Sequence, residues 1–559
     1  MRLAIALLLG SMALPLAAQA QTREDLLNDG KNPAQVTTYG MGYHQQRHSR
    51  LDQINRSNVR RLVPVWSLSM SNDVGEQSQP LVYDGVMIVT NVRHTTAIDV
   101  ATGRMLWRTP VEWDPATARV VCCGLSNRGA AIYEGKVFRT TIDAHVLALD
   151  LKTGKELWNE TFADWTQGIS STVAPTIADG VLITGMSGAE FGVRGFIDGW
   201  DPATGKHLWR RFTIPGPGEP GSETWPKETE HYKHGGGTTW MTGSYDPELN
   251  LVYWGTGNAG PWNPTVRPGD SKHAASVIAI RPKTGEIAWS YQWTPGDMYD
   301  YDGVNENILA DLTVEGQPRK ALIHADRNGF LYVLDRTNGK PIAAHPFEKV
   351  TWAEKVDLGT GRPVETELAQ RMRKGETLEV WPGLRGGKNW PPMAFNPDSG
   401  LVFVNTLHDP RSYTFNNEEQ PKPGMRYLGL TINTPPKKPG EPWGFTKAID
   451  PLTGKVRWEK PSTDYPAWGG MLSTGSGLLF TGRSTGEFQA LDQENGQVLW
   501  SFNTGTGVNA PPVTYMVNGK QYVTVLAGLG GLPVIAGAPN IRERVPTGAA
   551  VWTFAVMAE

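Results

Sequence analysis

Short apolar stretches alternate with turn residues along most of the chain, and one eleven-residue pattern recurs among them. Its form is Ala-x-Asp-x-x-Thr-Gly-x-x-x-Trp, and a degenerate copy, VLDRTNGKPIA, has Ala343 at the tryptophan position. The other copies end at Trp107, Trp158, Trp209, Trp289, Trp458 and Trp500. The pattern predicts a strand, a tight turn in which glycine takes a positive φ, and a second strand that carries the tryptophan.

The spacing of these copies predicts the blades of a β-propeller. Successive copies end 51, 51, 80, 54, 115 and 42 residues apart, and a four-stranded blade takes about 40 to 50 residues. Pro- and Gly-rich insertions account for the longer gaps, and each tryptophan, burying about 150–250 Å², would hold neighbouring blades together. An eighth unit needs both chain ends: LVPVWSLS, with Trp66, and the segments YVTVLAG and AAVWTFAV. We therefore predict an all-β, eight-bladed propeller with tryptophan-docking repeats, closed by pairing of N- and C-terminal strands, although the longest gap leaves room for another blade.

The first twenty residues have the features of a secretory signal. Arg2 is basic, LAIALLLGSMALPLA is apolar, and Ala18-Gln19-Ala20 is a small-x-small cleavage site. We predict cleavage after residue 20, export to the periplasm, and a single propeller domain over residues 21–559. No later stretch approaches the roughly 20 apolar residues of a membrane span. With 53 basic and 56 acidic residues, the chain has no basic footprint, so nucleic acid is excluded as a partner.

The two cysteines of the chain, Cys122 and Cys123, are adjacent. In an exported protein they have no other partner within the chain, yet neighbouring Cα atoms, about 3.8 Å apart, lie below the usual disulfide range of about 4.4–6.8 Å. The pair is therefore either a rigid disulfide ring, which closes no useful loop and favours a role in a site, or two buried thiols. A covalent c-type haem needs Cys-x-x-Cys-His, so the chain carries no such haem of its own.

Residues 294–307, TPGDMYDYDGVNEN, crowd four acidic side chains into a nearly neutral chain: Asp297, Asp300, Asp302 and Glu306. Two charges about 4 Å apart repel by roughly 4 kcal/mol at an effective dielectric near 20. If Asp300 and Asp302 face each other in the interior, a positive charge must therefore lie between them. The alternative is a hydrated turn in which nothing needs to be neutralised.

Three further candidates stand among glycines and other small residues, which permit the close approach of a ligand. They are Glu190, Asn258 and Trp240. Carboxylate and amide oxygens bind hard cations, and an aromatic face suits a planar group. Each residue also has an ordinary interpretation: a surface carboxylate, a turn residue and a core residue, respectively.

The chain resembles the pyrroloquinoline-quinone (PQQ) dependent alcohol dehydrogenases of the methanol and ethanol dehydrogenase type. The resemblance spans essentially the whole mature chain and includes the tryptophan repeats and the adjacent cysteines, which Arg128 follows five residues later. It implies an eight-bladed propeller in which the Cys122–Cys123 disulfide stacks on one face of PQQ and Trp240 on the other. Further cofactor contacts that it implies are Arg128, Thr141, Ser187, Gly188, Ala189, Thr238, Arg327, Asn389 and Trp468. Where the family has an early glutamate, this chain has Gln77.

The resemblance also implies a metal site of Glu190, Asn258 and Asp300, with Asp300 as the catalytic base and Arg327 bound to the quinone oxygens. Asp302 is typical of the lanthanide-dependent members, because calcium-dependent members usually have a small residue there. In an extended segment the side chains of residues i and i+2 point the same way, about 6.8 Å apart, so Asp300 and Asp302 would both bind one cation. The charge of three carboxylates balances that of a trivalent ion, which favours a lanthanide(III). The alternative is calcium, in which case Asp302 would be a solvent-facing turn residue.

The implied reaction is the oxidation of an alcohol to an aldehyde or ketone. Asp300 would accept the hydroxyl proton while hydride passes to PQQ, whose carbonyl the cation and Arg327 polarise. Electrons would leave to an external acceptor, a soluble c-type cytochrome. The alternatives are a quinoprotein dehydrogenase of sugars or polyols and a non-catalytic exported scaffold. The sequence leaves open which alcohol is oxidised, whether the chain forms a homodimer, and whether it has a companion subunit.

Overall fold

The computed structural model describes residues 21–227, 229–535 and 540–557 and is built almost wholly of β-strands. Eight sheets have four antiparallel strands each, one of them with an added short parallel strand, and two further sheets are smaller. The predicted signal peptide, residues 1–20, lies outside the described residues. Within these ranges the structure contains no helix that is long and apolar enough to cross a membrane.

We number the eight sheets in chain order, and sheets 2 to 6 each contain four consecutive strands. Their bounds are Leu81–Tyr83, Val86–Thr90, His94–Asp99 and Met105–Pro110; Ala131–Tyr133, Lys136–Thr140, His145–Asp150 and Glu156–Thr161; Thr176–Ala178, Val181–Gly185, Phe196–Trp200 and His207–Phe212; Ser244–Asp246, Leu251–Thr256, Ser276–Ile280 and Ile287–Gln292; and Ile308–Val314, Gln317–Ala325, Phe330–Asp335 and Pro341–Pro346. Sheet 7 consists of Ala394–Asn396, Leu401–Asn405, Gly444–Ile449 and Val456–Ser462. Sheet 8 consists of Met471–Thr474, Leu478–Gly482, Glu487–Asp492 and Val498–Asn503, with His48–Ser49 at its edge.

Sheet 1 combines the two ends of the chain. It consists of Leu62–Ser69, Val513–Val517, Lys520–Ala527 and Ala550–Val556. The first of these pairs antiparallel with the last, so that Leu62 lies opposite Val556 and Ser69 opposite Ala550. The N- and C-terminal strands therefore share one sheet.

The longest gap between repeats holds an insertion and sheet 7. The insertion's two small sheets are Ala353–Asp357 with Arg362–Glu365, and Glu379–Val380 with Arg411–Phe415 and Leu430–Asn433. The helices of the described chain are Arg23–Leu27, Glu367–Arg373, Leu532–Ile535 and Ile541–Arg544. Single 3-10 turns are Asp29–Lys31, Val59–Arg61, Pro115–Val120, Trp165–Gln167, Ala189–Phe191, Ser222–Thr224 and His231–His234. No further four-stranded sheet is described within this gap.

The repeated tryptophans contact the sheet that follows; Trp289 does so through its ring, which meets Gly339, because its indole N–H has no partner among the described residues. Six indole N–H groups donate to a main-chain oxygen of the following sheet at 2.8–3.3 Å: Trp66 to Val100, Trp107 to Leu151, Trp158 to Pro202, Trp209 to Pro282, Trp458 to Gln493 and Trp500 to Leu62. The ring also covers the glycine of that turn. A Cβ built on Gly154 would lie 2.5 Å from the Trp107 ring, so the glycine is required by close packing as well as by its φ of 70°.

The degenerate repeat is completed by a different residue. Ala343 occupies the tryptophan position, and the ring that meets the next turn belongs to His345. Its Nε2 lies 2.9 Å from the Leu452 oxygen, and a Cβ on Gly454 would lie 2.6 Å from its side chain. An imidazole therefore takes the place of the indole at this one contact.

The loops that carry candidate site residues lie at one end of the sheets. They either precede the first strand of a sheet or connect its second and third strands. Cys122, Trp240 and Asp300 precede first strands, whereas Glu190 and Arg327 follow second strands. In an antiparallel sheet these connections lie at the same end of the strands, so residues far apart in sequence meet there.

Candidate active site

One pocket is lined by loops from seven of the eight sheets. Most of the predicted site residues line it: Cys122, Cys123, Arg128, Ser187, Gly188, Glu190, Thr238, Trp240, Asp300, Asp302, Arg327 and Asn389. Four predicted residues do not line it: Thr141, Ala189, Asn258 and Trp468. The pocket therefore gathers most of the residues that the sequence singles out.

The two adjacent cysteines form a disulfide, with Cα atoms 3.8 Å apart. The alternative of two buried thiols is therefore wrong. The loop is closely packed, since a Cβ on Gly124 would lie 3.0 Å from the Gly531 Cα atom. The sulfurs and a Glu190 oxygen lie within 4.8 Å of one another, but metals bind thiolates, so the disulfide is a wall of the pocket rather than a ligand.

The acidic segment is buried, and the interpretation of it as a hydrated turn is wrong. Asp297, Asp300, Asp302 and Glu306 are each at most 5% exposed. The extended backbone that we predicted is also wrong at Asp300, which has a φ of 67°. The Asp302 N–H donates to the Asp300 carbonyl at 3.0 Å, so a tight turn, not strand alternation, brings the two carboxylates together.

Arg327 connects the two carboxylates. Its Nη1 donates to the carbonyl and to Oδ2 of Asp300 at 3.0 and 3.2 Å, and its Nη2 lies 2.9 Å from Asp302 Oδ2. The guanidinium thus supplies part of the positive charge that the buried pair requires. Burial, together with Asp302 and Glu190, raises the pKa of Asp300 well above its ordinary value, although Arg327 acts to lower it.

Asn258 lies against this pair although it does not line the pocket. Its backbone N–H donates to Asp302 Oδ1 at 2.6 Å. A Cβ on Gly257 would lie 2.5 Å from the same oxygen, so only glycine admits the Asp302 carboxylate in this position. Asn258 is fully buried, and its backbone is therefore a fixed part of the carboxylate cluster.

The oxygen atoms at this cluster fit a hard cation. Oδ1 of Asp300 and Oδ1 of Asn258 are buried and accept no hydrogen bond from the described residues. Burial, and after it the neighbouring Asp302, raise the pKa of Glu190, although Arg327 and Arg426 act to lower it. A cation bound by these oxygens would neutralise the excess charge and partner the free oxygen atoms.

The aromatic and cationic walls fit a planar anion. Above the Trp240 ring lie the Cζ atoms of Arg128, at 4.8 Å, and Arg327, at 5.6 Å from the ring centroid. Arg128 also lies 5.1 Å from the Trp390 ring, and its buried Nε has no partner among the described residues. PQQ, a planar tricarboxylate, matches this combination of ring faces and guanidinium groups.

The predicted residues outside the pocket wall have other contacts. Thr141 donates through its hydroxyl to Asp143. Trp468 packs with Trp390 in a small apolar cluster, and its indole nitrogen has no partner among the described residues. Ala189 is buried behind the wall. Their predicted cofactor contacts stay predictions.

Sequence reasoning missed several wall residues: Val121, Ser126, Ser170, Thr172, Leu384, Trp390 and Leu532. Gln77, noted as a departure from the family pattern, also lines the pocket. Leu384 and Trp390 flank Asn389 in the Gly-rich segment GLRGGKNW, which was an available signal. No sequence signal pointed to Leu532, because only tertiary packing brings its helix to the pocket.

The chain is similar to known proteins over most of its length. Residues 37–356 and 365–523 match the family described as PQQ, glucose/ethanol/alcohol dehydrogenase, beta-propeller domain. The chain is 40% identical over 584 residues to quinoprotein alcohol dehydrogenase PedH of Pseudomonas putida, covering 99% of this chain and 96% of that protein. It is 39% identical over 567 residues to a lanthanide-dependent methanol dehydrogenase of Methylacidiphilum fumariolicum, covering 96% and 91%. A solved europium-containing methanol dehydrogenase superposes with a TM-score of 0.88 at 35% identity, covering 95% of this chain and all of that one.

Proposed function

The chain belongs to the family of PQQ-dependent alcohol dehydrogenases, and we propose that it is a lanthanide-dependent member in which Asp302 is the third carboxylate ligand. Its activity is alcohol oxidation with PQQ, so the alternative of a non-catalytic scaffold is wrong. The observation that carries the proposal is the buried cluster of Glu190, Asp300 and Asp302, in which Arg327 pairs with both aspartates.

The eight sheets would be eight blades of one closed ring that forms a single domain over residues 21–559. This inference is supported by the series of ring contacts from each sheet to the next, which continues from Trp500 of sheet 8 to Leu62 of sheet 1. It is also supported by the pairing of Leu62–Ser69 with Ala550–Val556. Such a ring leaves no long unpaired sheet edge.

The proposed metal ligands are Glu190, Asn258, Asp300 and Asp302. The three carboxylates together match the charge of a trivalent ion. With Arg327 counted the cluster still carries a net charge of −2, and each added carboxylate oxygen attracts the ion of higher charge more strongly. Support comes from the free, buried oxygens of Asn258 and Asp300 and from the lanthanide named for the methanol dehydrogenase relative. Calcium remains the alternative that the metal test must exclude.

Each residue of the pocket would have a defined part in the reaction. PQQ, when bound, would supply the acceptor for the hydride of the alcohol carbon, and the cation would supply Lewis acidity. Asp300 would take the hydroxyl proton on its carboxylate, whose Oδ2 also accepts a hydrogen bond from Arg327. The Cys122–Cys123 disulfide and Trp240 would hold the cofactor between them, and Arg128 would pair with a cofactor carboxylate. Glu190 and Asn258 would hold the cation.

The electron acceptor would be a separate protein, a soluble c-type cytochrome, since the chain has no haem-attachment motif. We place this reaction in the periplasm on the strength of the signal sequence in residues 1–20. A homodimer stays a prediction. The substrate would be an alcohol with an apolar carbon chain, because Val121, Leu384 and Leu532 give the pocket an apolar wall.

The test is dye-linked alcohol oxidation by Asp300→Ala, with PQQ binding followed separately by its absorbance. We expect the variant to lose activity by a factor of at least 10², with PQQ binding and the melting temperature close to those of the wild type. Asp335→Ala, which changes a partly buried carboxylate that lies at the start of a turn and lines no wall of this pocket, is the matched control. Substantial turnover by Asp300→Ala would reject its role as the base.

A further inference from the structure

A buried arginine joins the two loops that carry the proposed metal ligands. Arg267 is fully buried and lies in the insertion between Leu251–Thr256 and Ser276–Ile280, nine residues after Asn258. Its Nε donates to the Pro261 carbonyl at 3.0 Å and its Nη1 to Ser271 Oγ at 2.6 Å. Its Nη2 donates across to the Asp297 carbonyl at 2.6 Å. The guanidinium therefore ties the backbone of the Asn258 loop to that of the acidic loop.

Asp297 continues this connection to the ligands themselves. Its Oδ1 accepts hydrogen bonds from the backbone N–H groups of Tyr299 at 3.0 Å and Tyr301 at 3.2 Å. These two residues flank Asp300, whose φ of 67° is a conformation that costs about 1–3 kcal/mol unless its surroundings impose it. The Tyr413 hydroxyl holds the Tyr299 carbonyl at 3.0 Å. The backbone on both sides of Asp300 is thus fixed by buried partners.

We propose that Arg267 and Asp297 are positioning residues that set the separation between Asn258 and the Asp300–Asp302 pair, and so the affinity of the site for its cation. The inference rests on the metal site proposed above. Neither side chain lines the pocket, so both act through the backbone that they hold. We call this pair of side chains, with the five hydrogen bonds described, the Arg267–Asp297 brace.

The geometry predicts which property of Asp297 matters. The side chain acts as an acceptor for two N–H groups, so an amide oxygen at the same place should serve as well as a carboxylate. Asp297→Asn retains this acceptor, whereas Asp297→Ala removes it. In the same way, Arg267→Met retains the length of the apolar stem but none of the donors. Partners that orient metal ligands typically change metal affinity about 10- to 100-fold when lost.

The experiment is a titration of the full-length, PQQ-loaded protein with Tb³⁺, followed by tryptophan-sensitised luminescence and by calorimetry. We expect at least tenfold weaker Tb³⁺ binding in Asp297→Ala and in Arg267→Met, and binding within about threefold of the wild type in Asp297→Asn. The control is Arg336→Met. Arg336 is also buried and donates to the Ala310 carbonyl at 2.9 Å, so its loss should lower the melting temperature while leaving Tb³⁺ affinity unchanged.

Several results would overturn the brace. One is wild-type Tb³⁺ affinity in both Asp297→Ala and Arg267→Met. Another is an equal loss of affinity in the Arg336→Met control, which would indicate general loosening. If Asp297→Ala does not fold, the Tb³⁺ affinity of Asp297→Gln is compared with that of Asp297→Asn. The glutamine amide lies one carbon farther from the backbone, so equal Tb³⁺ affinities of the two variants would overturn the brace. A wild-type protein that binds PQQ but no Tb³⁺ would reject the metal site and the brace together, whereas wild-type binding with unaffected variants rejects the brace alone.

Discussion

Glu76 is a buried carboxylate beside the pocket residue Gln77, and its replacement by glutamine should stabilise the protein at high pH. Glu76 is 1% exposed. Its Oε1 accepts hydrogen bonds from Nδ2 of Asn72 at 2.9 Å and of Asn91 at 3.1 Å, but its Oε2 has no partner among the described residues. Burial raises the pKa of Glu76 from 4.5 to about 8, although the two amides act to lower it.

The magnitude follows from this pKa shift. One pKa unit corresponds to about 1.36 kcal/mol, so the shift of Glu76 from 4.5 to about 8 disfavours the ionised form by roughly 5 kcal/mol. Below pH 4.5 the carboxyl group is protonated in both the folded and the unfolded chain and has no effect. As pH rises towards 8 the unfolded chain releases the proton first, so the free energy of unfolding falls. Glu76→Gln does not titrate and escapes this loss.

The assay is thermal unfolding of the wild type and Glu76→Gln at pH 5, 7 and 9. A cooperative unit of about 540 residues has an unfolding entropy near 1.1 kcal/mol per kelvin. The variant should therefore melt about 4 °C above the wild type at pH 9 and less than about 1 °C above it at pH 5. Glu354→Gln removes the same charge from an exposed position and should show no such widening. A gap that stays constant with pH, or that narrows, would refute the reasoning.

Three further predictions concern single contacts. Lys388 and Glu306 form a buried ion pair at 2.9 Å, and Lys388→Met should destabilise the protein by about 3–5 kcal/mol in urea unfolding. The double variant with Glu306→Leu should recover part of this loss, although the Met393 N–H then loses its acceptor; a purely additive result would contradict the pairing. Gly257→Ala should displace Asp302, because Asp302 Oδ1 would lie 2.5 Å from the new Cβ. We expect Tb³⁺ to bind at least tenfold more weakly in a titration. Unchanged affinity would show that Asp302 is not a ligand. Trp107 is partly buried, so Trp107→Ala should cost about 2–3 kcal/mol in the same unfolding assay, and a loss below about 1 kcal/mol would deny the ring a role in joining sheets 2 and 3.

Much of the fold could be predicted because its repeat is a short sequence motif with fixed residue spacing. The turn glycine and the tryptophan occur at a fixed spacing, and the structure uses both in one contact, as Gly154 and Trp107 show. The substitute ring at the degenerate repeat could not be predicted in this way. His345 lies two positions beyond Ala343, and only the packing of two sheets selects it.

The site was predictable in composition but not in conformation. Counting acidic residues identified the cluster of Asp300 and Asp302, yet the backbone there turns instead of running straight. A positive φ at a residue other than glycine is imposed by partners distant in sequence, and here Tyr413 and the insertion that carries Arg267 supply them. The position of Leu532 in the pocket wall could not be predicted for the same reason, since no local pattern places its helix against the pocket.

The central claim is that three carboxylates of this alcohol dehydrogenase hold a trivalent ion. The most direct measurement is dye-linked alcohol oxidation by the purified apoprotein with PQQ, comparing La³⁺ with Ca²⁺ for the wild type and Asp302→Ala. We predict that the wild type is active with La³⁺ and that Asp302→Ala shifts the preference towards Ca²⁺. Wild-type activity with Ca²⁺ alone, or unchanged La³⁺ dependence in Asp302→Ala, would contradict the account.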